Sequence, residues 1–363
     1  TYNQAEVTHQ YSNTGIYEIK IRGGITGWYF NGGGDDDKII EISNWGPFAM
    51  PNNASSVFQG CSNLKLTATD APSNITYMSR VFQNCPNLGS EGNMNSWDMS
   101  NVNSFYYAFD GASTFNQPIG NWNTSNVTDF ERMFYRATGF NQDIGSWDTS
   151  GVVDMQYMFD GDGQRHTFNN GGSDSITGWD TSNVTSTYVM FRDCDFNQPI
   201  GNWDMSSNTN MGYMFHGSKS QFNQPIGTWN TSKVTNMQQM FARAEAFNQS
   251  LDDWNVTGVT NMSSMFSFAT NFNNGGSTGI NNWDVSSVAS MNSMFSLAST
   301  FNQPIDAWDT SSVTDIYRMF FQANSFNQDI GSWNVTGVVG NGGGADAFRS
   351  MFQQSAFNNG GSS

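Results

Sequence analysis

Trp97, Trp122, Trp147, Trp179, Trp203, Trp229, Trp254, Trp283, Trp308 and Trp333 fall 24 to 32 residues apart, most often 25. A second series keeps step with them: Phe58, Phe82, Phe109, Phe134, Phe159, Phe191, Phe215, Phe241, Phe266, Phe295, Phe320 and Phe352. The copies share the pattern W-[DN]-x-S-x-V-T-x-M-x-x-M-F-x-x-A-x-x-F-N-Q-x-I-G-x. A fixed period of this length marks a repeat architecture, in which each unit buries its apolar side against its neighbours. The expected fold is a repeat solenoid, leucine-rich-repeat-like, of about 12 rungs. It combines short parallel strands with short helical turns and carries a β-rich N-terminal cap. At about 4.8 Å per rung the stack is roughly 58 Å long.

Each position of the unit has a physical reading. Val127, Phe130, Met133 and Phe134 are spaced by three and four, which predicts one or two helical turns with one buried face. Such a segment is too short to stand alone, so stacking must hold it. In "FNQPIGNW" the Ile and Trp predict an extended segment paired in parallel with its equivalents. The Asp or Asn after each Trp from Asp98 to Asn334, followed two residues later by Ser, predicts an Asx-turn or a helix N-cap. Asn116, Asn141, Asn223 and their counterparts in "FN" predict an Asn ladder that satisfies backbone groups at a tight corner. The structural ladder residues are thus Trp122, Trp147, Trp203, Trp229 and Trp254, with Phe134, Phe215, Phe241 and Phe266, and these asparagines.

Cys61, Cys85 and Cys194 each lie three residues after a ladder Phe, where other units place Ala137 or Ala244. They are expected to be small buried rung residues. Cys61 and Cys85 fall on neighbouring rungs, within reach of a disulfide. Longer corners are expected near 160–178, 272–282 and 337–347. Residues 51–363 form the repeat domain. Residues 1–50 differ and are assigned to the cap, with a strand over Ile16–Ile21 after a turn at Asn13–Gly15 and another in "KIIEISNWG". The closing "FNNGGSS" stops before the strand that would complete its rung. That predicts continuation past Ser363 or docking on another subunit.

The consensus, especially "NVTDFERMFYRATGFNQDIGSWDTS", resembles the BspA-like leucine-rich-repeat surface proteins, in the branch shared with mycoplasma lipoproteins. The early units "VFQGCSNLKL" and "VFQNCPNL" are similar to the other branch, with A-F-x-x-C-x-x-L, which puts a strand at Lys65 to Ala68. The start, "VTHQYSNTGIYEIKI", is similar to the closing strands of PKD-like extracellular domains. The resemblance implies a non-enzymatic protein on a cell or virion surface, secreted or anchored, that acts in adhesion or recognition of a protein or glycan. It brings no catalytic residues and no cofactor. The rival expectation is a filament or sheath subunit, a homo-oligomer joined through its terminal rungs.

Composition narrows the partners. The net charge is −17 with 14 Lys plus Arg, which argues against nucleic acid and against an anionic membrane surface. No run approaches the roughly 18 apolar residues of a membrane span. His9, His166 and His216 occupy unrelated repeat positions, so no catalytic arrangement follows from them. Asp160 and Asp162 in "FDGDGQRH" are half of a calcium loop and the only metal candidates, weak because position twelve is Gly171. Thr pairs such as Thr124/Thr128 and Thr231/Thr235 suggest a flat Thr array, interrupted at Val153 and Asn208. Sequons such as those at Asn126, Asn183 and Asn261 follow from the repeat itself, and Asn261 is expected on an exposed corner.

Overall fold

A computed structural model of the chain describes residues 13–17, 25–26, 30–52, 55–217, 220–339, 348 and 350–361. The repeats stack in register, and the core is a set of aromatic columns. Phe109, Phe134, Phe159, Phe191 and their successors stack on one another, with centroids 5.5–5.8 Å apart. The Phe of each "FN" forms a second column and lies 3.7–4.2 Å from the first within its own rung. Trp122 and Trp147 stack 6.1 Å apart and nearly parallel, as do Trp229 with Trp254 and Trp308 with Trp333. Offset stacking of this kind adds to the burial of each ring.

The M-x-x-M-F segments are not helical, contrary to the spacing argument. Each is a run of β-turns. Met133 N–H closes on Phe130 O at 3.1 Å and Ala137 N–H on Phe134 O at 2.9 Å. The third residues of these turns, Arg132 and Arg136, are left-handed with φ of 55° and 54°. Equivalent pairs recur up the stack, as Gln239/Arg243, Ser264/Phe268 and Ser293/Leu297. The remaining N–H groups run along the stack. Phe130, Arg132, Phe134 and Arg136 donate to Asp154, Gln156, Met158 and Asp160 of the next rung at 2.9–3.0 Å. A helix would turn those donors inward, so bonding between rungs wins. One β-turn every four residues imitates the helical spacing, which is why the pattern misleads.

The parallel pairing also lies elsewhere than expected. Single-residue bridges link Ser104, Asp129, Asp154, Ser186, Asn210, Asn236, Asn261, Ser290 and Asp315, one position after the exposed Thr, not in the Ile-to-Trp segments. Asn261 is therefore half-buried in this column, its side chain accepting from Ser263 N–H at 2.9 Å, and does not sit on an open corner. Among the described residues two-residue strands occur only near the start: β1 (Ile25–Thr26), β2 (Glu41–Ile42), β3 (Phe48–Ala49) and β4 (Lys65–Leu66). β1 pairs with β3 and β2 with β4, both parallel. Phe30 N–H then donates to Val57 O at 2.9 Å, as Phe58 N–H does to Val81 O. Of the strand expected over Ile16–Ile21, residues 18–21 lie outside the described residues; Ile16 and Tyr17 are not in a strand, and the Tyr17 hydroxyl donates to Asn13 O at 2.6 Å.

The long corners at residues 160–178 and 272–282 contain 3-10 helices, Asn170–Gly172 with Asp174–Gly178, and Asn274–Gly276 with Gly279–Asn282. In each, the second Asn of "FNN" reaches back one rung: Asn170 Oδ1 accepts from Ile144 N–H at 2.9 Å and Asn274 Oδ1 from Leu251 N–H at 2.8 Å. The third corner, 337–347, is described only over 337–339.

Candidate binding face

The columns leave little chemistry in the interior. Asn141 N–H donates to Asn116 Oδ1 at 2.9 Å, and the same bond joins each later Asn to its predecessor as far as Asn358 and Asn327. The Gln that follows joins in: Gln142, Gln224, Gln249 and Gln328 each donate to the carbonyl of the preceding ladder Asn. This role is written in "FNQ" but had no place in the reading of the sequence. From Trp122 to Trp333 each ladder indole N–H donates to a carbonyl one rung back, Trp147 to Ile119 at 3.1 Å, Trp203 to Ile176 at 3.1 Å, Trp229 to Ile200 at 3.0 Å and Trp254 to Ile226 at 2.9 Å. The Asx-turns are present from Asp98 to Asn334, and the bond from Ser150 holds the Asp148 carboxyl below its ordinary value.

The Thr pairs do not form one array. Thr124, Thr181 and Thr231 are buried, each hydroxyl donating to the next rung's carbonyl at 2.9 Å. Thr128, Thr185 and Thr235 are exposed and bond backward. The two members of a pair therefore face opposite sides of the backbone.

The calcium candidates are already neutralised. Arg192 grips Asp160 with two bonds of 2.8 Å and reaches Asp162 at 2.7 Å. A guanidinium thus stands where a cation would. Burial still raises the Asp160 carboxyl to about 6, against the pull of that partner. Among the described residues no cluster of His, Cys, Asp or Glu is arranged to hold a metal. His166 is fully buried, with its Nε2 donating to Phe134 O at 3.1 Å and its Nδ1 accepting from Phe168 N–H. Burial lowers its pKa to about 4, so the ring is neutral. Cys61, Cys85 and Cys194 are free and buried, with Cys85 Sγ donating to Phe58 O at 2.9 Å and Cys194 Sγ to Phe168 O at 3.3 Å. Burial raises the thiols of Cys85 and Cys194, which makes them poor nucleophiles.

What remains is the surface of the turn segments. The unconserved positions of M-x-x-M-F-x-x-A stack into one face. It carries seven of the 12 tyrosines, Tyr106, Tyr107, Tyr135, Tyr157, Tyr188, Tyr213 and Tyr317. It also carries six of the nine arginines, Arg80, Arg132, Arg136, Arg192, Arg243 and Arg318. All seven tyrosines are half-buried. Tyr135, Tyr157, Tyr188 and Tyr213 form an edge-to-face ladder with centroids 5.4–6.2 Å apart. Arg132 lies over Tyr107, Tyr135 and Tyr157 at 4.3–5.4 Å and donates to the Tyr107 hydroxyl. Arg136 pairs with buried Asp110 at 2.8 Å. Burial and the neighbouring Asp162 push the Tyr135 phenol up to about 12. Burial, with Asp154 and Asp129 close by, raises Glu131 to about 7.

Further along, the same face changes character. Arg243 lies over Phe268 at 4.5 Å, and Arg318 over Tyr317 and Phe321 at 5.1 Å each. Among the described residues neither arginine has an ion-pair partner. No helix of the described residues is long and apolar enough to cross a membrane.

The family described as "Mycoplasma protein of unknown function, DUF285" matches three successive, slightly overlapping stretches, residues 52–170, 163–279 and 274–362. No curated protein matches the chain.

Proposed function

The chain belongs to the family of Mycoplasma proteins of unknown function, DUF285, and from that premise we propose that it is a non-enzymatic recognition protein acting at a cell surface. In this reading the repeats form a leucine-rich-repeat-like solenoid related to the BspA-like proteins. It is displayed outside the cell, and its partner is a protein or a glycan. One observation carries the proposal: the segregation of tyrosine and arginine onto a single half-buried face, in a chain with few cations. These two residue types are enriched at interface hot spots, because both supply large contact area together with directed polar groups. A stack held by bonds between rungs presents such side chains on a rigid frame, so binding costs little ordering entropy.

The test is binding of the intact protein to panels of immobilised glycans and of intact cells. The double variant Tyr157→Ala/Tyr188→Ala should lose at least tenfold in apparent affinity, while Thr185→Ala/Thr235→Ala, on a different exposed column, should leave it unchanged. Equal binding by both variants would sink the proposal. The filament reading uses the terminal rungs instead, so neither double variant would alter concentration-dependent end-to-end assembly.

A further inference from the structure

We infer that the C-terminal part of this face is a docking strip for an extended, acidic-and-apolar peptide segment of the partner. The inference rests on the recognition reading above and adds the chemistry of what is recognised. On consecutive rungs one column runs Arg243, Phe268, Leu297 and Gln322, and Phe321 and Arg318 lie beside its last member, one and four residues earlier in the chain. Backbone bonds fix the order: Arg243 N–H donates to Ser267 O, Phe268 N–H to Ser296 O and Leu297 N–H to Phe321 O, each at 2.7 Å.

Phe268 and Leu297 are out of place by ordinary rules. Both are left-handed with φ of 60°, a conformation that large side chains resist, and both remain partly exposed. The same place in other rungs is taken by Gly60, Gly111 and Gly217, which meet no such resistance, or by the polar Asn84, Arg136, Asp193, Arg243, Gln322 and Gln354. Large apolar groups therefore stand where other rungs place glycine or a polar residue, and they gain only partial burial there. Such an outlier points to a use outside the fold.

Charge supplies the other half of the argument. Arg243 and Arg318 stand at the two ends of the strip without carboxylate partners among the described residues, unlike Arg136 and Arg192. Each guanidinium is held over a ring, which leaves its fork free for a carboxylate. The same stacking covers faces of Phe268 and Phe321 that a sugar ring would need, which favours a peptide over a glycan. Along the stack three rung steps of about 4.8 Å separate the arginines, about 14 Å, and Arg318 is also set sideways by one β-turn from the column of Arg243. The complementary segment has acidic residues at least four positions apart with apolar residues between them.

A library of random ten-residue peptides displayed on phage, panned against the intact protein, tests this directly. The expected result is a consensus with two Asp or Glu residues at least four positions apart and apolar residues between. Synthetic peptides of that consensus should bind at least tenfold more weakly to Arg243→Gln/Arg318→Gln and to Phe268→Ser/Leu297→Ser, and equally to Tyr157→Ala/Tyr188→Ala. Selection of no such pattern, or undiminished binding to the Arg243→Gln/Arg318→Gln protein, overturns the inference. If that happens while Tyr157→Ala/Tyr188→Ala still abolishes binding to cells or glycans, only the docking strip falls and the broader recognition role stands.

Discussion

The two ends of the tyrosine–arginine face use the same backbone and opposite surface chemistry. From Tyr106 to Tyr213 its charges are largely answered from within, by Arg136 with Asp110, Arg192 with Asp160 and Asp162, and Arg132 caged by tyrosines. From Arg243 to Arg318 the neighbours are Ser264, Ser293, Phe268 and Leu297, and among the described residues neither arginine is paired with an acid. Once the columns beneath are held by stacked Phe, Trp and Asn, the outward positions are free to be either a braced lattice or an open strip.

The comparison requires that the interior be the same under both ends. Phe215→Ala and Phe295→Ala each remove a fully buried ring from the same column, and each should cost about 3–5 kcal/mol in chemical denaturation. Unequal losses would mean that the ends differ below the surface as well.

The next effect should divide them. Arg192→Gln leaves the buried Asp160 carboxylate alone and should cost about 3 kcal/mol at neutral pH. The loss should shrink toward pH 5, because a carboxyl already raised to about 6 then takes up a proton. Arg243→Gln, with no ion pair to break, should stay within about 0.5 kcal/mol. Similar losses for the two would erase the distinction between braced and open.

A third test concerns the braced end alone. Folding raises Glu131 to about 7 from an ordinary value of 4.5. A carboxyl raised on folding holds its proton more tightly in the native state, so stability declines as pH climbs from about 4.5 to about 7. Glu131→Gln should remove that slope and add on the order of 1 kcal/mol at pH 8, after allowing for its partial exposure. Melting curves of wild type and variant that run parallel across this range would contradict it.

The smallest effect is conformational. Phe268→Gly relieves a left-handed phenylalanine and should be neutral or stabilising by up to about 1 kcal/mol. At the braced end Gly111→Ala imposes the opposite change at φ of 72°, with a new Cβ 2.9 Å from Asn84 Oδ1, and should cost about 1 kcal/mol. A marked loss on Phe268→Gly would show that this ring serves the fold rather than a partner.

Repetition decided what could be read before any coordinates. Trp147, Phe134 and Asn141 were legible because each repeats unchanged, and only stacking requires identical side chains at every level. The Asx-turn after each Trp was legible because the side chain itself makes the turn. The handedness of Arg136 or Arg243 was not, since Arg carries no mark of a left-handed φ; the signal written in that column is Gly at Gly60, Gly111 and Gly217. The tyrosine–arginine face escaped for a related reason. Tyr157, Arg243 and Leu297 sit at positions where the copies disagree, and a consensus discards such positions.

The second asparagine of the long corners has a bearing on how the chain finds its own alignment. Neighbouring rungs are so alike that a segment displaced by one whole unit would rebuild nearly every column, and the folding chain would meet little penalty for the error. Asn170 and Asn274 break that degeneracy. Asn170 joins Ser173 and Ser175, and Ser175 in turn holds Asp143; Asn274 and Ser277 hold Asp252. Shifted by one unit, Ser175 would face Pro118 in place of Asp143, and the corner would lose its anchorage. The two insertions work as indexing pins, placed about 100 residues apart in an otherwise self-similar chain, and they confine any slip to the stretch between one pin and the next.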